Sequence, residues 1–391
     1  MTTRDRNATA ARATRTLTLF LCGDVMTGRG IDQILPYPGD PQLFESYVRS
    51  AVAYVELAER SAGPIPRAAG FDYVWGDALA ELERVRPQVR IANLETAVTV
   101  SEEAWPRKGI HYRMHPANVP CLTAARIDCC ALANNHVLDW GYPGLAQTLT
   151  TLHQAGIRTA GAGADAAEAG APAVIDLSGV RVLVFAVGTQ DSGVPREWQA
   201  TQKRPGVNWL GDLSAGSADA MARRIARHRR NGGIVVVSIH WGGNWGFEIQ
   251  PHARDFAHRL IDTAGVDLVH GHSSHHVKGI EVYRNKAILY GCGDFLNDYE
   301  GIGGYDSFRA DLGLMYFATL DAHSGDLLRL AMTPTRTQRF RIHRASAQDL
   351  SWLCATMNRE CGALGAQVAR QPDGTLALQW GARDADAPRR V

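Results

Sequence analysis

The chain has 391 residues, 45% of them hydrophobic and 21% charged, enough to bury a full core in one large domain or two closely packed ones. With 41 Lys and Arg against 40 Asp and Glu the formal net charge is +1. No global field therefore recruits nucleic acid or an acidic membrane, and any anion selectivity is local.

In chain order, the first 14 residues are polar and basic and read as a flexible leader. The apolar run Leu17 to Cys22 is too short for a signal sequence or a membrane span, which predicts a cytoplasmic protein with no stable membrane insertion. Strand-like runs follow at 17–23, 89–95, 128–135, 180–188, 233–242, 266–272 and 286–294, alternating with helix patterns at 144–156, 217–233 and 252–265. That order predicts an α/β fold. Residues 312–321 and 327–345 read as two antiparallel strands joined by the turn HSGD, Ser346 opens a last helix, and the stretch after Gln371 turns polar. The expected organisation is a leader (1–14), one domain (15–345), and a C-terminal helix with a mobile tail (346–391). The seven cysteines are odd in number, scattered and set in apolar runs such as IDCCALA, the pattern of reduced, buried thiols.

Chemistry gathers at the C-terminal ends of five strand-like runs. Asp24 lies in CGDVMTGRG, Glu95 in ANLETAVT, Asn134, Asn135 and His136 in ANNHVLDWG, His240 in SIHWGGNWG, and His270, His272, His275 and His276 in VHGHSSHH. In an α/β sheet such ends share one edge, where ligands bind. One Asp after a strand is ordinarily a helix cap, but capping does not account for five clusters together. Two carboxylates, an amide oxygen and several imidazoles, with no thiolate, suit Mn²⁺, Fe²⁺ or Zn²⁺. A carboxylate shared by two such ions would hold a hydroxide ready to attack, a hydrolase design.

These motifs, with LVHGHSSHHVKGIEVYRNKAILYGCGDFLND, resemble the CapA family, named for poly-γ-glutamate capsule synthesis, within the calcineurin-like metallophosphoesterase superfamily. The resemblance covers roughly residues 17 to 320. It implies a four-layer α-β-β-α sandwich of two mixed sheets, with two divalent metals in the loops along one edge. It implies Asp24 as ligand of the first metal, Glu95 as the bridge, and Asn135 on the second metal with His240 beside it. The remaining imidazoles would be His272 and His275, with His276 able to replace either. His136 would donate a proton to the leaving group or hydrogen-bond the transition-state oxyanion. Asp139 either orients His136 or is an exposed turn carboxylate, and Arg29 would clamp an anionic substrate. Asp294 either holds a ligand histidine in its tautomer or is only a turn residue. The first motif reads Asp-Val-Met where metallophosphoesterases usually have Asp-x-His, so one ligand of the first metal is either missing, leaving a mononuclear or weakly loaded site, or comes from elsewhere.

The expectation is a metal-dependent hydrolase cleaving a phosphoester or γ-glutamyl-type amide of a small anionic substrate by attack of metal-bound hydroxide. The alternative is a non-catalytic component of poly-γ-glutamate synthesis or export that binds the polymer. A nucleotide site at GAGAD lacks the full glycine spacing, and the basic run RRIARHRRNGG reads as a solvated helix face rather than a nucleic-acid site.

Overall fold

The computed structural model describes residues 16–177, 179–229 and 232–381. The expected leader lies outside them, as does the chain from residue 382 onward. Sixteen strands carry the architecture: β1 (Thr16–Val25), β2 (Val89–Leu94), β3 (Cys129–Ala131), β4 (Arg158–Ala160), β5 (Ala173–Leu177), β6 (Val180–Thr189), β7 (Ile234–His240), β8 (Leu268–His272), β9 (Ile280–Tyr283), β10 (Lys286–Leu289), β11 (Asp294–Leu296), β12 (Leu312–Asp321), β13 (Leu327–Gln338), β14 (Arg341–Arg344), β15 (Ala366–Arg370) and β16 (Leu376–Trp380). The helices used below are α1 (Arg29–Ile34), α2 (Val52–Ala62), α3 (Asp77–Val85), α4 (Gly141–Gln154), α5 (Ala215–His228), α6 (Pro251–Ala264) and α7 (Ala347–Gly362).

Two mixed sheets result, an α/β arrangement. The first runs β15-β16-β13-β12-β1-β2-β3-β4, with β11 beside the end of β1 and β14 beside β13. The second centres on β6-β7-β8-β10-β9, with β5 on the flank of β6. In the first sheet β1 through β4 are mutually parallel, and β12 and β13 add antiparallel strands. In the second, β6, β7, β8 and β10 are parallel. The strand-like run 286–294 is in fact two strands in different sheets. After β10 the chain leaves the second sheet through Gly291 and Gly293, and β11 pairs with β1 of the first. Gly293 sits at φ +75°, a left-handed conformation that glycine adopts without steric cost.

Alternation along the strands sorts the core. Leu19, Leu21, Ile91 and Cys129 of the first sheet share one buried cluster with Val184, Val236 and Leu268 of the second. Phe20, Cys22, Ala92 and Cys130 point the other way, toward Ile31 of α1, Val55 of α2, Leu82 of α3 and Leu145 of α4. Leu183, Phe185 and Val235 meet Met221 and Ile225 of α5 and Phe256 and Leu260 of α6. The vicinal Cys129 and Cys130 therefore lie in different clusters, and all seven cysteines are unpaired.

The C-terminal segment departs from the expectation. Ser346 caps α7 by accepting from the Asp349 N–H, and Leu353 and Met357 enter the cluster shared by the two sheets. The segment read as a polar tail after Gln371 contains β16, which pairs with β15 and β13 and extends the first sheet. Ala366 and Val368 on one strand and Leu376 and Leu378 on the next, each pair two apart, are the apolar residues that this pairing buries.

Candidate metal centre

The parallel strands end on one edge. Asp24 stands at the end of β1, Glu95 just after β2, Asn134 to His136 after β3, His240 at the end of β7, His272 at the end of β8, and Asp294 at the start of β11. All are buried except Asn135, which is partly exposed.

Two sets of donor atoms converge, each within 4.8 Å of one another: Asp24, His240 and His272, and Asp24, His275 and Asp294. Asp24 belongs to both. His240 places Nδ1 2.8 Å from His272 Nδ1 and Nε2 3.0 Å from Asn135 Oδ1. Glu95 Oε1 lies 3.8 Å from His136 Nε2 and 4.0 Å from His240 Nε2, while its Oε2 is buried with no hydrogen-bond partner. Neighbouring groups hold these donors in place. Asn93 donates to Asp24 Oδ1 at 2.8 Å, Ser238 Oγ is 2.8 Å from His272 Nε2, and Asp294 Oδ1 is 2.9 Å from His275 Nδ1.

Electrostatics matches this geometry. Burial, with the Asp294 charge beside it, pushes the Asp24 carboxyl up to about 7. Burial and the same two acidic neighbours raise Glu95. Burial and adjacent imidazoles hold His240 and His272 well below the ordinary histidine range. Burial also opposes the charged form of His275, but Asp294 holds its pKa above the usual value. Dry, crowded carboxylates beside neutral imidazoles form a donor set that a divalent cation stabilises by displacing protons. With no thiolate among them, they fit a hard or borderline ion. Glu95 Oε2, buried beside that set, is an acceptor without a hydrogen-bond partner.

His136 stands at the rim of the set. Its Nδ1 is 2.7 Å from Asp139 Oδ2, which also accepts the Tyr112 N–H at 2.6 Å. Asp139 is fully buried, not an exposed turn residue. Its pKa is lowered, since the His136 and Lys108 charges outweigh burial. An ionised carboxylate only accepts, so His136 Nδ1 carries the proton and Nε2 faces Glu95. Burial pushes the His136 pKa down to about 4, leaving the ring neutral near pH 7.

The structure thus brings Asp24, Glu95, Asn135, His240, His272 and His275 together, with His136 and Asp139 beside them. Three other residues have other partners. Arg29 is buried: it donates to Asp298 through Nε at 3.0 Å and Nη2 at 2.5 Å and to Glu45 through Nη1 at 2.8 Å, and its guanidinium lies over the Tyr54 ring. Each nitrogen of its fork makes one hydrogen bond inside the protein, and the residue also borders the cleft of about 590 Å³ described below. His276 belongs to neither donor set and packs against Trp245, Phe247 and Phe308. His270 bonds the Cys22 carbonyl at 2.8 Å and contacts Ser238 at 3.1 Å, a cross-link between the two sheets.

Asp294 is the donor that motif reading left in a supporting role. A signal existed: the tripeptide Cys-Gly-Asp occurs at 22–24 and again at 292–294. The two copies lie side by side, with Asp24 N–H donating to Gly293 O at 2.9 Å. A Cβ on Gly23 would come 1.6 Å from that oxygen, so only glycine permits the approach. Met26, at the position where metallophosphoesterases usually have histidine, is buried with its sulfur 3.7 Å from the Tyr299 hydroxyl. His275 and Asp294 supply donors beside Asp24 instead. Asn93, inside the motif quoted for Glu95, also reaches the site, as do Lys108 and Tyr299, which carried no sequence signal.

A cavity of about 360 Å³ opens over the centre, lined by Glu95, Lys108, Asn135, His136, His240 and His275. It adjoins a larger cleft of about 590 Å³ through Ile110, Asn244, His275 and Tyr299, and that cleft carries Tyr47, Trp245 and Tyr305. Among the described residues, no helix is long and apolar enough to cross a membrane.

Residues 18–299 match the family described as bacterial capsule synthesis protein PGA_cap. The chain is 50% identical over 364 residues to a probable polyglutamine synthesis accessory protein of Mycobacterium tuberculosis, covering 93% of this chain and 96% of that protein. It is 26% identical to the capsule biosynthesis protein CapA of Bacillus anthracis, over 73% of this chain and 61% of the relative. It is 28% identical to the PGA biosynthesis protein CapA of Bacillus subtilis, over 72% and 63% respectively. The matched span contains the strand ends that build the buried edge, and the chain belongs to the PGA_cap (CapA) family.

Proposed function

We propose that the protein is a metal-dependent hydrolase built on a calcineurin-like four-layer α-β-β-α sandwich, cleaving a phosphoester or a γ-glutamyl-type amide of a small anionic substrate. The core supports the fold type: one buried cluster is shared by the two sheets and two outer clusters join each sheet to helices. The observation that carries the activity is the sharing of Asp24 between two donor sets, with the unpartnered Glu95 carboxylate and the Asp139-held His136 facing the same cavity.

Two divalent cations, Mn²⁺, Fe²⁺ or Zn²⁺ by donor type, would be held by Asp24, Glu95, Asn135, His240, His272, His275 and Asp294. Bound there, they would polarise the scissile bond and lower the pKa of water. The chain's own residues do the rest. Asp139 keeps the His136 proton on Nδ1 and the ring in one orientation, so Nε2 is the atom that exchanges a proton with the substrate. The low pKa of His136 makes its protonated form a strong acid toward a leaving oxygen or nitrogen. The buried edge excludes bulk water and strengthens each charge contact.

A second reading, a polymer-binding component without turnover, draws support from the printed names of the relatives, which describe accessory and biosynthesis proteins. One experiment separates them: metal content by elemental mass spectrometry, with hydrolysis of an aryl phosphodiester and a γ-glutamyl anilide after Mn²⁺ is added. About two metals and turnover of either compound support the hydrolase. Metal loading without turnover of either favours the binding role.

A further inference from the structure

We propose that Lys108, not Arg29, is the cationic contact for an oxyanion of the ligand, seated in the cavity beside His136. Lys108 is the only lysine or arginine lining that cavity, and its side chain is 16% exposed. The loop carrying it is pinned at Asp139: Trp105 N–H donates to the Asp139 carbonyl at 2.7 Å, and Tyr112 N–H donates to its carboxylate. The ammonium donates to the Ile110 carbonyl at 3.1 Å and forms an ion pair with Asp139 Oδ1 at 2.8 Å.

Its third neighbour is His136 Nδ1, at 3.2 Å. That nitrogen cannot accept from Lys108, because it already carries the proton given to Asp139. The Ile110 carbonyl and the Asp139 carboxylate take at most two of the three ammonium protons, so at least one is left for the cavity. Arg29 does not line this cavity; it donates to Glu45 and Asp298 and borders the adjoining cleft instead. An ammonium acts as a point charge and takes either a phosphoryl or a carboxylate oxygen.

This inference rests on the proposed function only in placing the substrate at the metal edge, because anion binding is measurable without turnover. The test is calorimetric titration of the Mn²⁺-loaded full chain with inorganic phosphate and, separately, with glutarate. Wild type, Lys108→Gln, Lys108→Met and Lys108→Arg are compared, with metal content measured for each. The expected result is that wild type binds at least one anion and both neutral variants weaken it by about 10- to 100-fold at unchanged metal content, the loss of one charged hydrogen bond. Lys108→Arg recovers most of the affinity. Which anion responds identifies phosphoryl or carboxylate as the source. Unchanged affinity in the neutral variants overturns the proposal, as does a wild type that binds neither anion. Loss of metal or of folding in both neutral variants makes Lys108 a structural partner of Asp139 and also overturns it. Absence of turnover in wild type would count against the hydrolase reading alone.

Discussion

Asp24 and Asp294 stand opposite each other on neighbouring parallel strands, each following a Cys-Gly pair, with the Asp24 carboxyl pushed up to about 7 by burial and by the Asp294 charge. The backbone spacing that forces this is set by Gly23 against Gly293. Two carboxylates held this close in a dry site bind a proton or a cation in preference to remaining bare.

A pH dependence follows. Asp24 and Glu95 have folded-state pKa values above their unfolded ones, and so does His275. Each binds its proton more tightly in the native state, so its stabilising contribution is lost as pH rises through the folded value. The buried imidazoles with lowered pKa act in the opposite sense, but only below about 6.5, where the unfolded histidines protonate. Between pH 6.5 and 8 the metal-free protein should therefore lose thermal stability, and saturating Mn²⁺ should abolish that slope by replacing the protons. Differential scanning calorimetry in chelator and in Mn²⁺ tests this; parallel curves in the two conditions would remove the carboxylate cluster as the metal site.

Metal stoichiometry tests the individual donors. Glu95→Ala and Asn135→Ala should each lose loading at one position while the far-ultraviolet circular dichroism is unchanged. His276→Phe should keep the full complement, because that ring packs among aromatics and its Nε2 is buried without a partner. Full metal content in both donor variants, or loss in His276→Phe, would reverse the assignment.

His136→Ala should retain its metals and lose turnover by about two to four powers of ten, the range for a general acid or base. Asp139→Asn should lose activity too, since an amide can donate to Nδ1 and move the ring proton to Nε2. Steady-state rates measured beside metal content decide it. An unchanged rate in His136→Ala would take that residue out of the mechanism.

Arg29→Met should destabilise the protein by about 3–5 kcal/mol, because it strands the buried carboxylates of Asp298 and Glu45. Urea unfolding reads this directly. A variant of wild-type stability that binds its anionic ligand more weakly would restore Arg29 as a substrate clamp.

The difference between Arg29 and Lys108 shows where sequence reading stopped. Arg29 sits on a glycine-flanked loop after a metal-capable Asp, which locally resembles an anion clamp. Its partners, Glu45 and Asp298, are 16 and 269 residues away, and no local pattern announces them. Lys108 lies on a loop without regular periodicity, and its position follows from contacts to Asp139, 31 residues on.

By itself the sequence determined the α/β alternation, the strand ends that carry chemistry, the donor types and the family. Those features are local: apolar periodicity, a turn after a strand, and residues within a few positions of each other. Only the tertiary structure decided which of four clustered histidines stand beside Asp24, that Asp294 joins it, that the C-terminal hairpin belongs to the first sheet, and which cation lines the cavity over that edge. Each of those depends on which strands become neighbours, and strand neighbours are chosen by the summed burial of the whole core rather than by any short stretch of chain.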